Sequence, residues 1–237
     1  MKPFPEIPGV ELFLCGGYVR DHLLGIKAHD RDFVALTELS FDELVKAVEK
    51  VGGEVFLAKP EFLTIRCKFG KEVIDIALPR SENNYTDGRH PDKVNRVDTL
   101  KEDASRRDFT INSMYMDRHG NIIDEFGGKK DLDNKILKTV GNPIDRFAED
   151  FLRIIRGIRF SIKYNLSKDY DTKNAMHKTI SGLHQISFER IKDELNKCLL
   201  INPKETFNQI EEYSLWGTFN HHGLWFELTN KKRPRQC

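Results

Sequence analysis

Two aspartates one residue apart, Asp30 and Asp32, follow a Gly16-Gly17 pair and Arg20 in the stretch GGYVRDHLLGIKAHDRDF. Alternate residues of an extended chain point to the same side, so both carboxylates would share one face. Such a pair can hold a hard divalent cation such as Mg²⁺, which takes oxygen ligands and leaves positions for water and substrate phosphate. Taken alone, a DRD triplet reads more simply as a solvated turn. Its surroundings weigh the other way, because the glycine pair opens a short helix whose N-terminus attracts anions, with Arg20 one turn in. A phosphate binder and a cation binder thus share one turn-helix-strand unit. Neither the GK[ST] ending of a phosphate loop nor the dinucleotide pattern GxGxxG is present, so a kinase or dehydrogenase reading gains no support.

Asp75, in the middle of VIDIAL, is the candidate for a third carboxylate. An aspartate interrupting an apolar strand is costly unless paired or bound to a cation, although a strand-face aspartate turned to water reads equally well. Further along, FAEDFLRIIRGIRF has Phe147, Phe151, Ile154, Ile155, Ile158 and Ile162 on one helical stripe facing a core. That predicts Glu149, Arg153 and Arg156 together on the opposite face, with Asp150 at its edge beside Arg153. An ordinary surface helix with ion pairs would look the same.

The elements that would position these residues differ between the two halves of the chain. ELFLC (11–15), DFVAL (32–36), EVFL (54–57), LTIRCKF (63–69) and EVIDIAL (72–78) read as strands, the last two as a hairpin through Gly70. YVRDHLL is a helix ended by Gly25, and Ser40 with Glu43 predicts a capping box for FDELVKAVEK. Residues 80–96 are polar and rich in turn formers and read as a long loop. Thr99 with Glu102 predicts a second capping box on a helix running into RRDFTIN, and MYMDRHGNIIDEF reads as a hairpin. From Pro143 onward FAEDFLRIIRGIRFSIKY, TKNAMHKTISGL, SFERIKDELNKCLL and PKETFNQIEEY all carry helical spacing, with a boundary near residue 140.

Composition sets outer bounds. The 237 residues suffice for one large or two small domains with a real core, and the formal charge of +1 advertises no polyanionic partner. Basic surface must be local, in RRDFTIN (106–112), RIIRGIRF (153–160) and the tail KKRPR (231–235). The four cysteines, Cys15, Cys67, Cys198 and Cys237, lack CxxC spacing, which argues against a zinc site or a disulfide framework and fits a reduced, cytoplasmic location. No apolar run approaches membrane-spanning length, and the N-terminus has neither a signal core nor a transit-peptide pattern. His221, His222 and Trp225 read as packing or surface residues.

In order and spacing, GGYVRDHLLG with DRD, then RRDFTIN, GGKKDL and RFAEDFLRIIRGIRF resemble the class II tRNA nucleotidyltransferases and bacterial poly(A) polymerases. The likeness is close over roughly residues 11–163 and weaker through ISFERIKDELNKCLL. It implies an α+β fold, with a nucleotidyltransferase head (1–140) of small mixed β-sheet and flanking helices, an all-helical neck (141–215) and a short C-terminal segment (216–237). The body and tail domains usual in the family are absent on this reading. The resemblance makes Asp30 and Asp32 the Mg²⁺ ligands and Asp75, five residues before Arg80, the third catalytic carboxylate. It assigns the triphosphate to Gly16, Gly17 and Arg20, ribose and phosphate contacts to Arg107 and Asp108 with Asn112 nearby, and the protein template for the incoming base to Glu149, Asp150, Arg153 and Arg156, with Arg159 beyond.

The template has a physical basis. A carboxylate only accepts hydrogen bonds and a guanidinium only donates them. An Asp–Arg pair therefore reads an amino group beside a ring-nitrogen acceptor, the edge of cytosine and adenine, and rejects the reversed pattern of uracil and guanine. The resemblance thus implies CTP and ATP as substrates and a tRNA, or other RNA, 3′ end as acceptor. A poly(A) polymerase and a catalytically idle RNA- or nucleotide-binding module are the rival readings. Phe151 replaces the family's usual proline and Gly157 its usual alanine, while the full-length 80–96 loop favours addition of the terminal A.

Overall fold

The computed structural model describes residues 3–28, 30–83 and 93–217. The described residues through Asn134 form one compact unit, and those from Lys135 form a second.

The first unit opens with β1 (Val10–Cys15), α1 (Gly17–Leu23), β2 (Arg31–Thr37) and α2 (Phe41–Lys50). Ser40 and Glu43 form the expected reciprocal capping box on α2, and Leu44 and Val48 are its buried face. Then come β3 (Glu54–Lys59), β4 (Thr64–Phe69) and β5 (Glu72–Ala77). β6 (Arg80–Asn83) and β7 (Lys93–Arg96) precede α3 (Leu100–Ser105), β8 (Tyr115–Met116), β9 (Ile122–Ile123) and α4 (Gly128–Asp133).

Seven of these strands build a mixed sheet in the order β3-β4-β5-β2-β1-β8-β9. β2 and β5 run parallel, whereas the neighbouring pairs β1/β2, β4/β5 and β8/β9 are antiparallel. Parallel pairing in the middle of the sheet demands burial on both faces. Phe33, Val34, Ala35, Ile74 and Ile76 are accordingly buried, and Phe13, Cys15, Val34, Leu100, Ala104 and Tyr115 form one apolar cluster.

The stretch expected to be one long loop differs in part, because Arg80–Asn83 and Lys93–Arg96 pair as antiparallel strands. Residues 84–92 lie outside the described residues. Thr99 caps α3 by accepting from the Glu102 amide, while its hydroxyl donates to the Glu102 carboxylate, so only half of the expected box forms.

In the second unit β10 (Ile136–Leu137) and β11 (Ser167–Lys168) make a short parallel pair, and the rest is helical. The helices are α5 (Pro143–Glu149), α6 (Leu152–Tyr164), α7 (Tyr170–Thr179), α8 (Phe188–Ile201) and α9 (Pro203–Glu212). The single helix expected through FAEDFLRIIRGIRFSIKY is therefore two. Asp150 adopts an extended backbone (φ −150°, ψ 102°), and its carboxylate accepts from the Leu152 amide, starting α6 afresh. Phe147, Ile154, Ile155 and Ile158 are buried as expected, whereas Phe151 and Ile162 are only half-buried. Phe151 covers Gly182, where a Cβ would come within 2.2 Å of its ring. The C-terminal residues 218–237, with His221, His222, Trp225, Cys237 and the basic KKRPR tail, lie outside the described residues.

Candidate active site

The carboxylates of the first unit meet at the start of β2. Arg31 is buried, while Asp30 and Asp32 on either side of it are exposed, which is the alternation an extended chain requires. Arg31 turns to the opposite face, where it pairs with Glu72 at 3.0 Å, donates to the Pro3 carbonyl and lies against the rings of Phe4 and Phe33. Across the parallel pair, Asp32 stands in register with Asp75. Asp30, Asp32, Asp75 and Arg66 line a cleft of about 470 Å³ together with Arg31, Val73 and Ile74.

Asp75 is not a bare acid, since both of its oxygens accept from Arg66 at 2.6 Å. Among the described residues Asp32 has no such ion-pair partner. Desolvation at the foot of the cleft, then the charges of Asp75 and Asp30, push its carboxyl above the usual range, with Arg107 and Arg66 offsetting part of the effect. Among the described residues no three His, Cys, Asp or Glu side chains group closely enough to hold a metal alone. Mg²⁺ does not need such a cage, because it binds through one or two carboxylates and completes its octahedron with water and phosphate oxygens. The two open carboxylates, crowded by like charge, fit that chemistry.

Beside them lies the glycine turn. Gly16 has φ +64°, and a Cβ there would stand 3.2 Å from Arg107 Nη1, so both conformation and space select glycine. Arg20, one turn into α1, is buried; it pairs with Asp21 at 2.7 Å and donates to Asn112 Oδ1. Asn112 Nδ2 donates to Asp108 Oδ1 at 3.0 Å, and the Phe109 amide donates to the same oxygen at 2.8 Å. The structure thus links Arg20, Asn112 and Asp108 in one buried chain of hydrogen bonds, with Gly16, Gly17 and Arg107 adjoining.

Arg107 is held by a group that the sequence reading missed. Asp103, fully buried on α3, pairs with Arg107 at 2.9 Å and with Arg106 at 2.9 Å, and accepts from the Tyr115 hydroxyl at 2.7 Å. Burial alone would raise its pKa, but the two guanidiniums and the phenol outweigh that and hold it well below the usual carboxylate range. The signal was available in LKEDASRRD, where Asp103 precedes the two arginines by three and four residues on a helix.

In the second unit the acid and the arginines of FAEDFLRIIR are each fixed by neighbours. Glu149 bridges Arg146 at 2.8 Å and Arg153 at 2.5 Å, and Arg153 also donates to the Arg146 carbonyl. Arg153 is buried rather than on an open face. Asp150 accepts from Arg190 of α8 at 3.0 Å. Arg156 lies over the ring of Phe160. Arg159 turns into the α6–α8 contact, pairing at 2.6 Å with the buried Glu194. Arg190 and Glu194, one helical turn apart in SFERIKDEL, were not singled out from sequence; partners some 35–40 positions away leave no local spacing signal.

Comparison with known proteins adds names to this geometry. Residues 12–138 match the family model described as the poly A polymerase head domain, and residues 165–220 match one described as a probable RNA and SrmB-binding site of polymerase A. A CCA-adding enzyme from Staphylococcus epidermidis is 37% identical over 204 residues, covering 86% of this chain and 50% of that protein. The solved Bacillus stearothermophilus CCA-adding enzyme in complex with CTP is 31% identical, with a TM-score of 0.70 over 81% of this chain and 45% of that one. A Thermotoga maritima CCA-adding enzyme complexed with tRNA is 27% identical, with a TM-score of 0.73 over 87% and 47%. The chain spans about half the length of the curated relatives it matches. With its head motifs in order on a mixed sheet and more than half its length matched by the model, the chain belongs to the poly A polymerase head domain family.

Proposed function

We propose that the chain carries the head and neck of a CCA-adding tRNA nucleotidyltransferase, transferring C, C and A from CTP and ATP to a tRNA 3′ end without a nucleic-acid template. The observation that supports this most is the crowded carboxylate face of β2, where Asp32 stands in register with Asp75 and the charges of Asp75 and Asp30 outweigh what Arg107 and Arg66 offset. Residues 1–140 serve as the catalytic head and 141–215 as the neck that reads the base. A cytoplasmic location fits the three described cysteines, all buried thiols.

Asp30 and Asp32 would hold Mg²⁺, which when bound supplies positive charge to acidify the RNA 3′-hydroxyl and to neutralise the α-phosphate. The protein's part is placement. Gly16 and Gly17 keep the turn open to the triphosphate, Arg20 and Arg107 present positive charge beside it, and Asp108 with Asn112 holds that segment in shape. Arg66 holds Asp75 in place at the cleft through both carboxylate oxygens. The 3′-oxygen attacks the α-phosphorus in line, its proton leaves to water, and pyrophosphate departs with no protein nucleophile. Asp150 accepts from the exocyclic amino group of cytosine or adenine, while Arg153 and Arg156 donate to the ring nitrogen. Each already rests on a neighbour that orients it.

The test is incorporation of each labelled nucleoside triphosphate, with Mg²⁺, into tRNA transcripts ending before CCA, after C and after CC, beside an unstructured RNA. Two C and one A, then a stop, is the expected result. Long A tracts on any RNA would identify a poly(A) polymerase instead, and an inert protein that still binds nucleotide would identify an idle binding module.

A further inference from the structure

Asp103 has no exposed surface, and its two oxygens are divided between two tasks. Oδ2 accepts from Arg107 Nη2 at 2.9 Å, from Arg107 Nε at 3.2 Å and from the Tyr115 hydroxyl at 2.7 Å. Oδ1 accepts from Arg106 Nε at 3.0 Å and Nη2 at 2.9 Å, and from the Arg80 amide at 3.2 Å. Arg106 and Arg80 in turn share Glu82 Oε1, each at 2.8 Å. The Oδ1 side therefore ties α3 to β6, a purely architectural bond.

The Oδ2 side does something different. A guanidinium is a rigid planar fork, so fixing its Nε–Nη2 edge fixes the direction of the remaining nitrogen. Tyr115 adds a second restraint, because Arg107 Nε also donates to its hydroxyl at 3.2 Å and the guanidinium lies 5.1 Å from the ring centre. Held in this way, Arg107 presents Nη1 to the Gly16 turn, close enough that a Cβ on Gly16 would stand 3.2 Å from it.

We propose that Asp103, with Tyr115 as its auxiliary, is a positioning residue for nucleotide binding: through Oδ2 it aims Arg107 Nη1 at the phosphate and ribose beside the Gly16 turn. This rests on Arg107 contacting the nucleotide, as proposed above. Arg106, on the other oxygen, serves the fold and not the ligand.

The test is equilibrium binding of CTP and ATP to the full chain, with thermal unfolding followed in parallel, for wild type, Arg107→Lys, Asp103→Asn, Tyr115→Phe and Arg106→Gln. Arg107→Lys and Asp103→Asn are expected to weaken nucleotide binding by about tenfold or more, as a misaimed contact does. Tyr115→Phe, which deletes one hydrogen-bonding hydroxyl, should weaken it by about threefold. Arg106→Gln should lower the melting temperature while moving nucleotide affinity less than about twofold. If Asp103→Asn does not fold, the contrast between Tyr115→Phe and Arg106→Gln decides. Wild-type affinity in Tyr115→Phe, or an equal loss in both, alongside a weakened Arg107→Lys, would overturn the positioning role and leave the Arg107 contact standing. Wild-type affinity in Arg107→Lys would overturn both.

Discussion

Asp32 and Asp103 belong to the same unit, and both feel the charge of Arg107, yet their surroundings drive them in opposite directions. Asp32 stands in the cleft at the start of β2, where partial desolvation and then the charges of Asp75 and Asp30 push its carboxyl up. Asp103 is sealed inside with two guanidiniums, a phenol and a backbone amide, and its carboxyl is held down. The first cluster has more negative charge than its cations balance; the second is fully compensated. A folded chain tolerates the first only where solvent or a ligand can finish the neutralisation, so the imbalance marks a binding place and the balance marks a support.

The largest effect that would sharpen this contrast is on chemistry. Asp32→Ala should lower nucleotide incorporation by about 10³-fold or more, in line with removing charge stabilisation from a transferring phosphoryl group, while the melting temperature changes little. Full activity in that variant would break the assignment. The opposite pattern is expected at the other acid. Asp103→Asn takes from Arg107 its paired carboxylate and leaves Arg106 with Glu82 alone, and should cost about 3–5 kcal/mol in urea unfolding.

The two acids also differ in pH dependence. The folded pKa of Asp103 lies below its unfolded value, so its contribution is complete above the ordinary carboxylate pKa and is lost as pH falls through the acid range. Stability of the wild type should decline on acidification below about pH 4, and the Asp103→Asn curve should be flatter there. Asp32 has the reverse sign: its cost appears as pH rises from the ordinary carboxylate pKa through its raised folded value. Asp32→Asn should therefore be slightly more stable than wild type at pH 7, by under about 1 kcal/mol given how open the carboxylate is. A destabilised Asp32→Asn would show that the crowding is already relieved.

Much of this was legible in the sequence because it is local. The Gly-Gly turn, the DRD alternation, the Ser40 capping box and the β4–β5 hairpin each depend on residues within a few positions, and each formed as read. The β6–β7 pairing was hidden, since a polar stretch stabilised by pairing across a long connection has no apolar alternation to announce it. The break at Asp150 was hidden too. An apolar stripe continues in register through it, while the interruption comes from one aspartate capping the next helix and bonding to Arg190, 40 positions away. Arg159 illustrates the same limit: its motif position groups it with Arg153 and Arg156, and its pairing with Glu194, 35 positions away, had no local signal.

The most direct test of the central idea, that the under-compensated carboxylates of β2 hold the cation, is titration of the nucleotide-free protein with Mn²⁺ as a Mg²⁺ substitute, followed by electron paramagnetic resonance, for wild type and Asp32→Asn. Wild-type protein should bind the ion, and Asp32→Asn should bind it about tenfold more weakly or worse while keeping its circular dichroism spectrum, since half of the carboxylate pair is gone. Equal Mn²⁺ binding by the two proteins would contradict the account.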